Sequence, residues 1–343
     1  MSDPGPERPK AQPAPFDRPV LAEARTLIEA CGLRFDPKFD DLAGIYDQGQ
    51  LVACGARAGY VLKMLAITPS HQGSDTLGEL LTGLIQSGLR AGQDSLFVFT
   101  PPQNVPTFQA LNFRLLVAHG EAALLECGPG FPAWLAAQSG RITPGRNGAV
   151  VINGNPFTLG HLHLVEAAAQ RVDRLYLFVV REDRSVFPFE ARFRLAREAT
   201  AHLGNVTVLD TSRYAVSDGT FPSYFLKRLD ALAEAQMRID LHLFAQRIAP
   251  PFHIAVRFAG EEPLCPTTAA YNRMMAEVLR EHRLGMVELP RVEAGGLPIS
   301  ATRVRAAFKA GDFAALEDLA PPATLAYLRS PEADQIRIQM EDT

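Results

Sequence analysis

Residues 149–166, AVVINGNPFTLGHLHLVE, constrain this chain more than any other stretch. An apolar run at 149–152 leads through a loop into an amphipathic segment at 161–169. That pattern predicts a β-strand feeding an α-helix, with Thr158, Leu159, Gly160 and His161 at the junction. The first turn of a helix carries unpaired backbone N–H groups and the positive end of the helix dipole, so the junction suits a phosphate. Gly160 would let a ligand approach the backbone closely. Thr158 offers a hydroxyl and His161 a ring N–H, with Asn155 and Phe157 in the same loop. The same residues also fit a plain helix cap with a buried histidine, and short motifs match by chance.

A second stretch bears on that choice. PISATRVR, residues 298–305, follows about 140 residues downstream. Ser300 is a candidate N-cap, and Ser300, Thr302 and Arg305 all carry groups that serve phosphate. An ordinary capped basic helix would look the same. Taken in this order, TxGH and ISxTxVR resemble the nucleotidyltransferase superfamily, whose members make or break the α–β phosphate bond of a nucleoside triphosphate. The resemblance narrows when the intervening segments are added: FVVREDRSVFPFEARFRLAREAT at 178–200, TFPSYFLK at 220–227 and RFAGEEPLCPTTAAYNRMM at 257–275. Upstream, VACGARAGYVLKMLAITPSHQG occupies 52–73. The combination resembles the citrate lyase ligase family over residues 22–328. Phosphopantetheine adenylyltransferases share the two phosphate motifs but are about half this length and lack the upstream region.

A chain of 343 residues is expected to form two domains. Residues 1–17 are proline-rich and read as a disordered leader. Over 18–140, strand-like runs at 51–60, 61–67 and 96–99, a turn at Ala58-Gly59 and helices at about 75–89 and ending in 110–116 describe an α+β domain. Their order resembles the Gcn5-related N-acetyltransferase fold. The acyl-CoA loop of that fold carries Q/RxxGxG/A, whereas this chain has QGSDTL at 72–77. Asp75 would repel a pyrophosphate and Leu77 would crowd it. The domain is therefore expected to hold the acetyltransferase fold without its chemistry, and to dock a carrier or its CoA-like arm or simply support the second domain. Residues 141–148, rich in Gly, Pro and Arg, read as a linker. Over 149–330, strands at 149–152, 175–180, 206–209, 254–259 and 286–289 alternate with helical patterns at 161–169, 189–203 and 268–280. That alternation predicts a Rossmann-like parallel α/β sheet with its ligand at the carboxyl ends of the strands. Residues 331–343 form a tail.

A net charge of −4 gives no basic face for a nucleic-acid partner. No apolar run reaches the roughly 18 residues that span a bilayer, and residues 1–19 lack the apolar core of a signal peptide. Cys31, Cys54, Cys127 and Cys265 form no CxxC pair and no zinc spacing, which fits free thiols in the cytoplasm. Cys265 lies near the expected nucleotide loop, where a small buried cysteine or an acyl-carrying thiol would both fit. His161 and His163 make an HxH pair, but on a helix such residues point about 200° apart, so no metal site is expected.

The family resemblance implies an AMP-forming acid–thiol ligase. Acetate would attack ATP to give acetyl-adenylate, and the prosthetic-group thiol of the citrate lyase acyl carrier (gamma) subunit would then take the acetyl group. Mg²⁺ would arrive with ATP. His161, Thr158 and Arg305 are the catalytic candidates. Asn155, Phe157, Gly160, Arg192, Gly260, Ser300 and Thr302 complete the expected ATP site; Gly260 would lie along the adenosine and Arg192 would reach a phosphate or remain a solvated helix charge. An adenylyltransferase acting on a phosphorylated small molecule, or a non-catalytic regulator of a citrate lyase complex, are the alternatives.

Overall fold

The computed structural model describes residues 12–13, 18–181, 185–215, 229–262 and 266–341. Most of the expected leader, the TFPSYFLK segment and Cys265 lie outside the described residues. The chain divides into two compact units, Met1–Ala137 with Thr220–Ile239, and Gln138–Gly219 with Asp240–Thr343.

The first unit is a seven-stranded sheet. Its strands are β1 (Gln12–Pro13), β2 (Asp41–Asp47), β3 (Gln50–Ala58), β4 (Val61–Ile67), β5 (Leu96–Thr100), β6 (Arg114–His119) and β7 (Ala122–Cys127), in the order β1-β2-β3-β4-β5-β7-β6. Helix α1 (Arg18–Ala30) packs on one face through Ala24, Leu27 and Ile28. Helix α2 (Ser74–Arg90) packs on the other through Leu77, Leu80, Leu81 and Leu84, at helical spacing. The short helices α3 (Val105–Ala110) and α4 (Gly130–Gln138) complete the unit. Strands β2, β6 and β7 are additional to those the sequence pattern predicts, and β6 begins at Arg114, within the 110–116 stretch expected to end a helix. Gly44 interrupts the apolar pattern of β2 but not the strand, where it pairs with Cys54, and Asn112, at φ 65°, follows α3 just before β6 begins.

All strand pairs in this unit are antiparallel except β4 and β5, which pair only at Val61–Phe97 and Leu62–Val98 and then diverge. A cavity of about 710 Å³ lies between the splayed ends, lined by Leu65, Ile67, Val98, Thr100, Asn104 and Phe108 among others. At its mouth α2 begins at Gly73, with the exposed Asp75 in its first turn. Leu77 packs into the core beneath α2 and also lines this cavity together with Gln72 and Gly73, so its side chain takes up space there. Asp75 adds the electrostatic objection: it already supplies the anion that the helix N-terminus favours.

The second unit is a five-stranded, wholly parallel sheet. It comprises β8 (Asn147–Ile152), β9 (Leu175–Val179), β10 (Val206–Asp210), β11 (Ile254–Gly260) and β12 (Gly285–Leu289), in the order β10-β9-β8-β11-β12. The strands are near-continuous apolar runs because helices cover both faces. One face, Val150, Ile152, Leu177, Val179, Val256 and Phe258, is buried beneath α5 (Leu159–Ala169) and α6 (Phe189–Ala199), with α9 (Ala301–Lys309) and α11 (Pro322–Leu328) extending the same core. The opposite face carries Tyr176 and Phe178 edge-on against Phe252, at 5.0 and 5.6 Å. It also meets the end of α7 (Leu229–Leu243), the π-helical turn Phe244–Ile248, and α8 (Pro266–Glu281). A hairpin of β13 (Glu293–Ala294) and β14 (Leu297–Pro298) leads into α9, and α10 (Phe313–Glu317) follows it.

Two segments are more ordered than composition suggested. Within the expected linker, Thr143 N–H donates to the Tyr176 hydroxyl and Arg146 N–H to Asp173, while the buried Asn147 side chain donates to the Thr143 and Phe252 carbonyls. The expected tail forms α12 (Pro331–Glu341), with Ala333 buried in the main core and Ile336 and Met340 packed against it.

Strand order reverses between β8 and β11, so the carboxyl ends of those two strands form the crevice of this fold. In the first unit, isothermal titration of acetyl-CoA into the full chain is expected to give the same result for wild type and Gly73→Trp. Micromolar binding that this substitution removes would show that the cleft works as an acetyl-CoA site despite Asp75.

Candidate active site

The loop after β8 enters α5 through a capping box. Thr158 is the N-cap, at φ −121° and ψ 168°. Its Oγ1 accepts from His161 N–H at 3.2 Å, and its own N–H donates to His161 Nδ1 at 3.0 Å. A histidine thus fills the place usually held by Glu or Gln. The consequence is chemical. With Nδ1 accepting, the proton of the neutral ring must sit on Nε2, which leaves an N–H donor directed away from the cap. Burial, with the Arg291 guanidinium adding to it, pushes the His161 pKa down to about 4. The ring is neutral at physiological pH.

Thr158 is 1% exposed and its hydroxyl, 2.9 Å from His161 Nδ1, is spent on the cap. It therefore positions His161 and is not free to bind a phosphate, contrary to the expectation from sequence. Phe157 is likewise fully buried, its ring 5.4 Å from that of His161 and its carbonyl held by Thr324 Oγ1 at 2.9 Å. Its side chain supports the loop from the core and cannot touch a nucleotide.

Gly160 has a different role from the one first assigned. A Cβ there would stand 3.2 Å from the Ile299 carbonyl oxygen and 3.6 Å from the Ile299 Cβ. The glycine allows the segment entering α9 to lie against the first turn of α5. Ser300 caps α9, accepting from Arg303 N–H at 3.2 Å. Arg305 Nη1 donates to the Asn155 carbonyl at 2.6 Å, and its Nη2 donates to Thr302 Oγ1 at 3.1 Å. The Asn155 side chain accepts from Phe187 N–H at 3.0 Å. Two helix N-termini from opposite ends of the unit's sequence thus meet, with Arg305 joining them. Burial lowers the Arg305 pKa, but a guanidinium remains charged.

Gly260 ends β11. Among the described residues nothing lies within 4 Å of where its Cβ would be, and its φ is not in the left-handed region. The space beside it is open among the described residues. The next residues connect this loop to the paired helices: Arg291 Nε donates to the Glu261 carbonyl, and its guanidinium is ion-paired with Glu262. Arg291, a cation beside His161, was missed from sequence. It follows β12 without a motif of its own.

Arg192 corrects the sequence reading most. It is 0% exposed, and its Nη1 donates to the Asn153 carbonyl at 2.6 Å, to Asn153 Oδ1 at 2.8 Å and to the Val180 carbonyl at 2.8 Å. Its Nε donates to the Phe187 carbonyl at 3.0 Å. It is neither a phosphate ligand nor a solvated charge, but a buried brace across the ends of β8 and β9.

His163 is exposed and lines a separate groove with Glu166, Glu293 and Glu317. Among the described residues, ligating side chains converge at His242, Glu281 and His282, at the ends of α7 and α8. Cys54 is buried and its thiol pKa is pushed up to about 12, so it is an inert core residue. No helix of the described residues is long and apolar enough to cross a membrane.

A parallel sheet with two capped helix N-termini at its carboxyl edge defines a nucleotidyltransferase-like α/β domain. Residues 147–328 match the citrate lyase ligase C-terminal domain family. The chain is 41% identical over 297 residues to a citrate (pro-3S)-lyase ligase of Klebsiella pneumoniae, covering 82% of this chain and 84% of that protein. It is 35% identical over 321 residues to a citrate (pro-3S)-lyase ligase of Haemophilus influenzae, covering 90% and 95%. A phosphopantetheine adenylyltransferase of a Synechococcus species is 30% identical over 133 residues, 37% of this chain and 74% of that protein. The chain belongs to the citrate lyase ligase family and is an acid–thiol ligase.

Two outcomes are expected. In the free protein, nitrogen chemical shifts should report His161 as the Nε2–H tautomer, neutral down to about pH 4. The folded pKa lies below the ordinary value near 6.5. The ring's contribution to stability is therefore complete above about pH 6.5 and is lost as pH falls through about 4. Titration near 6.5 would refute the cap-fixed ring. Arg192→Met should leave several buried carbonyls without donors and cost about 3–5 kcal/mol, read by denaturant unfolding. A loss under about 1 kcal/mol would contradict the brace.

Proposed function

We propose that this ligase activates acetate with ATP and passes the acetyl group to the prosthetic thiol of the citrate lyase acyl carrier subunit. The observation that carries the reading is the meeting of residues 155–161 with 299–305, joined by Arg305 and the Asn155 carbonyl. Two helix N-termini, Arg305 and Arg291 form a positive, donor-rich recess suited to a polyphosphate.

Acetate is inert to thiols because its leaving group would be oxide. In the first step a carboxylate oxygen attacks the α-phosphorus of ATP, the bond to the bridging oxygen breaks, and pyrophosphate leaves. In the second, the thiolate attacks the acetyl carbonyl, the bond to the phosphate oxygen breaks, and AMP leaves. Neither step needs a covalent enzyme nucleophile. The protein's task is to position the reactants and stabilise charge. His161 Nε2–H donates to the α-phosphate as negative charge builds there. Ser300, Thr302 and Arg305 hold the β- and γ-phosphates, and Gly260 faces the adenosine. Thr158 acts only through His161.

Mg²⁺ fits as a companion of ATP. Glu262, a carboxylate of this region, is already tied to Arg291, so phosphate oxygens and water would supply most of the ion's ligands. The adenylyltransferase alternative is weaker, because such relatives match little more than a third of the chain.

Incubation with ATP, acetate and deacetylated carrier should yield AMP, pyrophosphate and a carrier heavier by one acetyl group. Formation of ADP would rule out the adenylate route. His161→Ala is expected to lower turnover by about 10²–10³-fold with the fold intact, as loss of one transition-state donor does. Near-normal turnover would remove His161 from the site.

A further inference from the structure

The sheet of the second unit has a second recess, on the face opposite α5 and α6. It is a cavity of about 230 Å³ at the carboxyl ends of β8 and β9, walled by Val151, Phe178, Phe244 and Ile248, with Arg257, Tyr271, Thr211 and Asp240 at its polar side. Arg257 comes from the middle of β11, where Val256 and Phe258 face the main core and Arg257 faces the other way. It is 5% exposed. Its guanidinium lies 4.6 Å from the Phe244 ring centroid and 5.9 Å from that of Tyr271. Among the described residues its one hydrogen bond goes from Nη2 to the Tyr271 hydroxyl at 3.2 Å, and that hydroxyl in turn donates to Asp240.

A guanidinium has five N–H donors in a fork that matches a carboxylate. Here the group lines a mainly aromatic and aliphatic cavity, with one donor spent on Tyr271 and the Asp240 carboxylate, the lining's own anion, already taken by the Tyr271 hydroxyl. Burying a cation in that way is unfavourable unless a ligand completes it. The cavity is also smaller than the roughly 300–1,000 Å³ that holds drug-sized ligands. A nucleotide would not fit. A small anion with a short apolar tail would place its charge on Arg257 and its tail among Val151, Phe178 and Phe244. Asn153 and Val180, at the strand ends, also line the cavity. Asn153 opens the loop that continues to His161, so an occupant would lie beside the phosphate recess.

We infer that this cavity is the short-chain monocarboxylate site, with Arg257 as the acid-binding residue and Val151 as a residue limiting chain length. The inference rests on the acetate-activating reading above and adds the residues that select the acid. Arg257 would hold one carboxylate oxygen while the other is presented to the α-phosphorus. Tyr271, hydrogen-bonded between Arg257 and Asp240, fixes the guanidinium plane.

The test uses the full chain and acetate itself, with two readouts: acetate-dependent exchange of labelled pyrophosphate into ATP, and acetate binding by saturation-transfer NMR. Arg257→Gln is expected to raise the KM for acetate about 10- to 100-fold, as loss of a charged hydrogen-bond partner does. The KM for ATP should change by less than about threefold, and Arg257→Lys should recover part of the loss. Val151→Ala, which does not touch the ion pair, should raise kcat/KM for butyrate relative to acetate. Wild-type acetate KM in Arg257→Gln, or unchanged chain-length preference in Val151→Ala, would overturn the assignment while exchange itself upheld acetate activation. If acetate binds wild type but not Arg257→Gln, and no exchange occurs, the pocket stands and the adenylation reading falls. If wild type neither binds acetate nor exchanges, both fall.

Discussion

The approach of α9 to the first turn of α5 is the contact on which the phosphate site depends. It brings two helix N-termini, Arg305 and Arg291 into one small volume. Partial and full positive charges so placed repel one another, and the recess is stable only because its cations are tethered. Arg305 is held by the Asn155 carbonyl and Arg291 by Glu262 and the Glu261 carbonyl. His161 answers the same constraint by staying neutral. A protonated ring would add another cation and destroy the cap, since Nδ1 would become a donor facing the Thr158 N–H. Neutral imidazole keeps one directed N–H for an incoming anion and lets the anion, not the protein, balance the field.

Gly160 shows how closely this contact is set. Any side chain would press on the Ile299 carbonyl at about the limit of real contacts. The glycine serves the approach of another protein segment, and only through it the approach of a ligand. That distinction is invisible in a motif, because both uses ask for the same missing Cβ.

Much of the second unit was legible because its signals are local. An apolar run, a hydroxyl N-cap and an amphipathic stretch locate β8 and α5, and PISATRVR locates α9 in the same way. The burial of individual side chains was harder. Phe157 and Thr158 sit in a loop whose packing depends on Thr324, far along the chain. Arg192 did leave a signal: it shares the stripe of Ala191, Leu195 and Ala196, all buried on α6. A cation on that stripe must bury its charge among carbonyls, and the loops after β8 and β9 provide them. Arg291 left none, since its importance comes from Glu262 and His161, both brought to it by the fold. In the first unit, β6 was hidden because ALNFRLL carries helical and strand residues together; its turn is set by Asn112 in the left-handed region.

The two faces of the parallel sheet divide the proposed chemistry. A carboxylate and a triphosphate repel each other, so an enzyme that joins them must neutralise each before contact. On one side stand Arg291, Arg305 and the N-termini of α5 and α9; on the other stands Arg257, with Val151 and Phe178 lining the cavity beside it. The carboxyl ends of β8 and β9 lie between, and Arg192 braces them by taking the Asn153 and Val180 carbonyls. A guanidinium used in this way costs desolvation, and a neutral donor would fill one carbonyl more cheaply. Only a rigid, multi-donor fork satisfies several carbonyls at once, and in doing so it fixes the strand ends that lie between the two proposed sites.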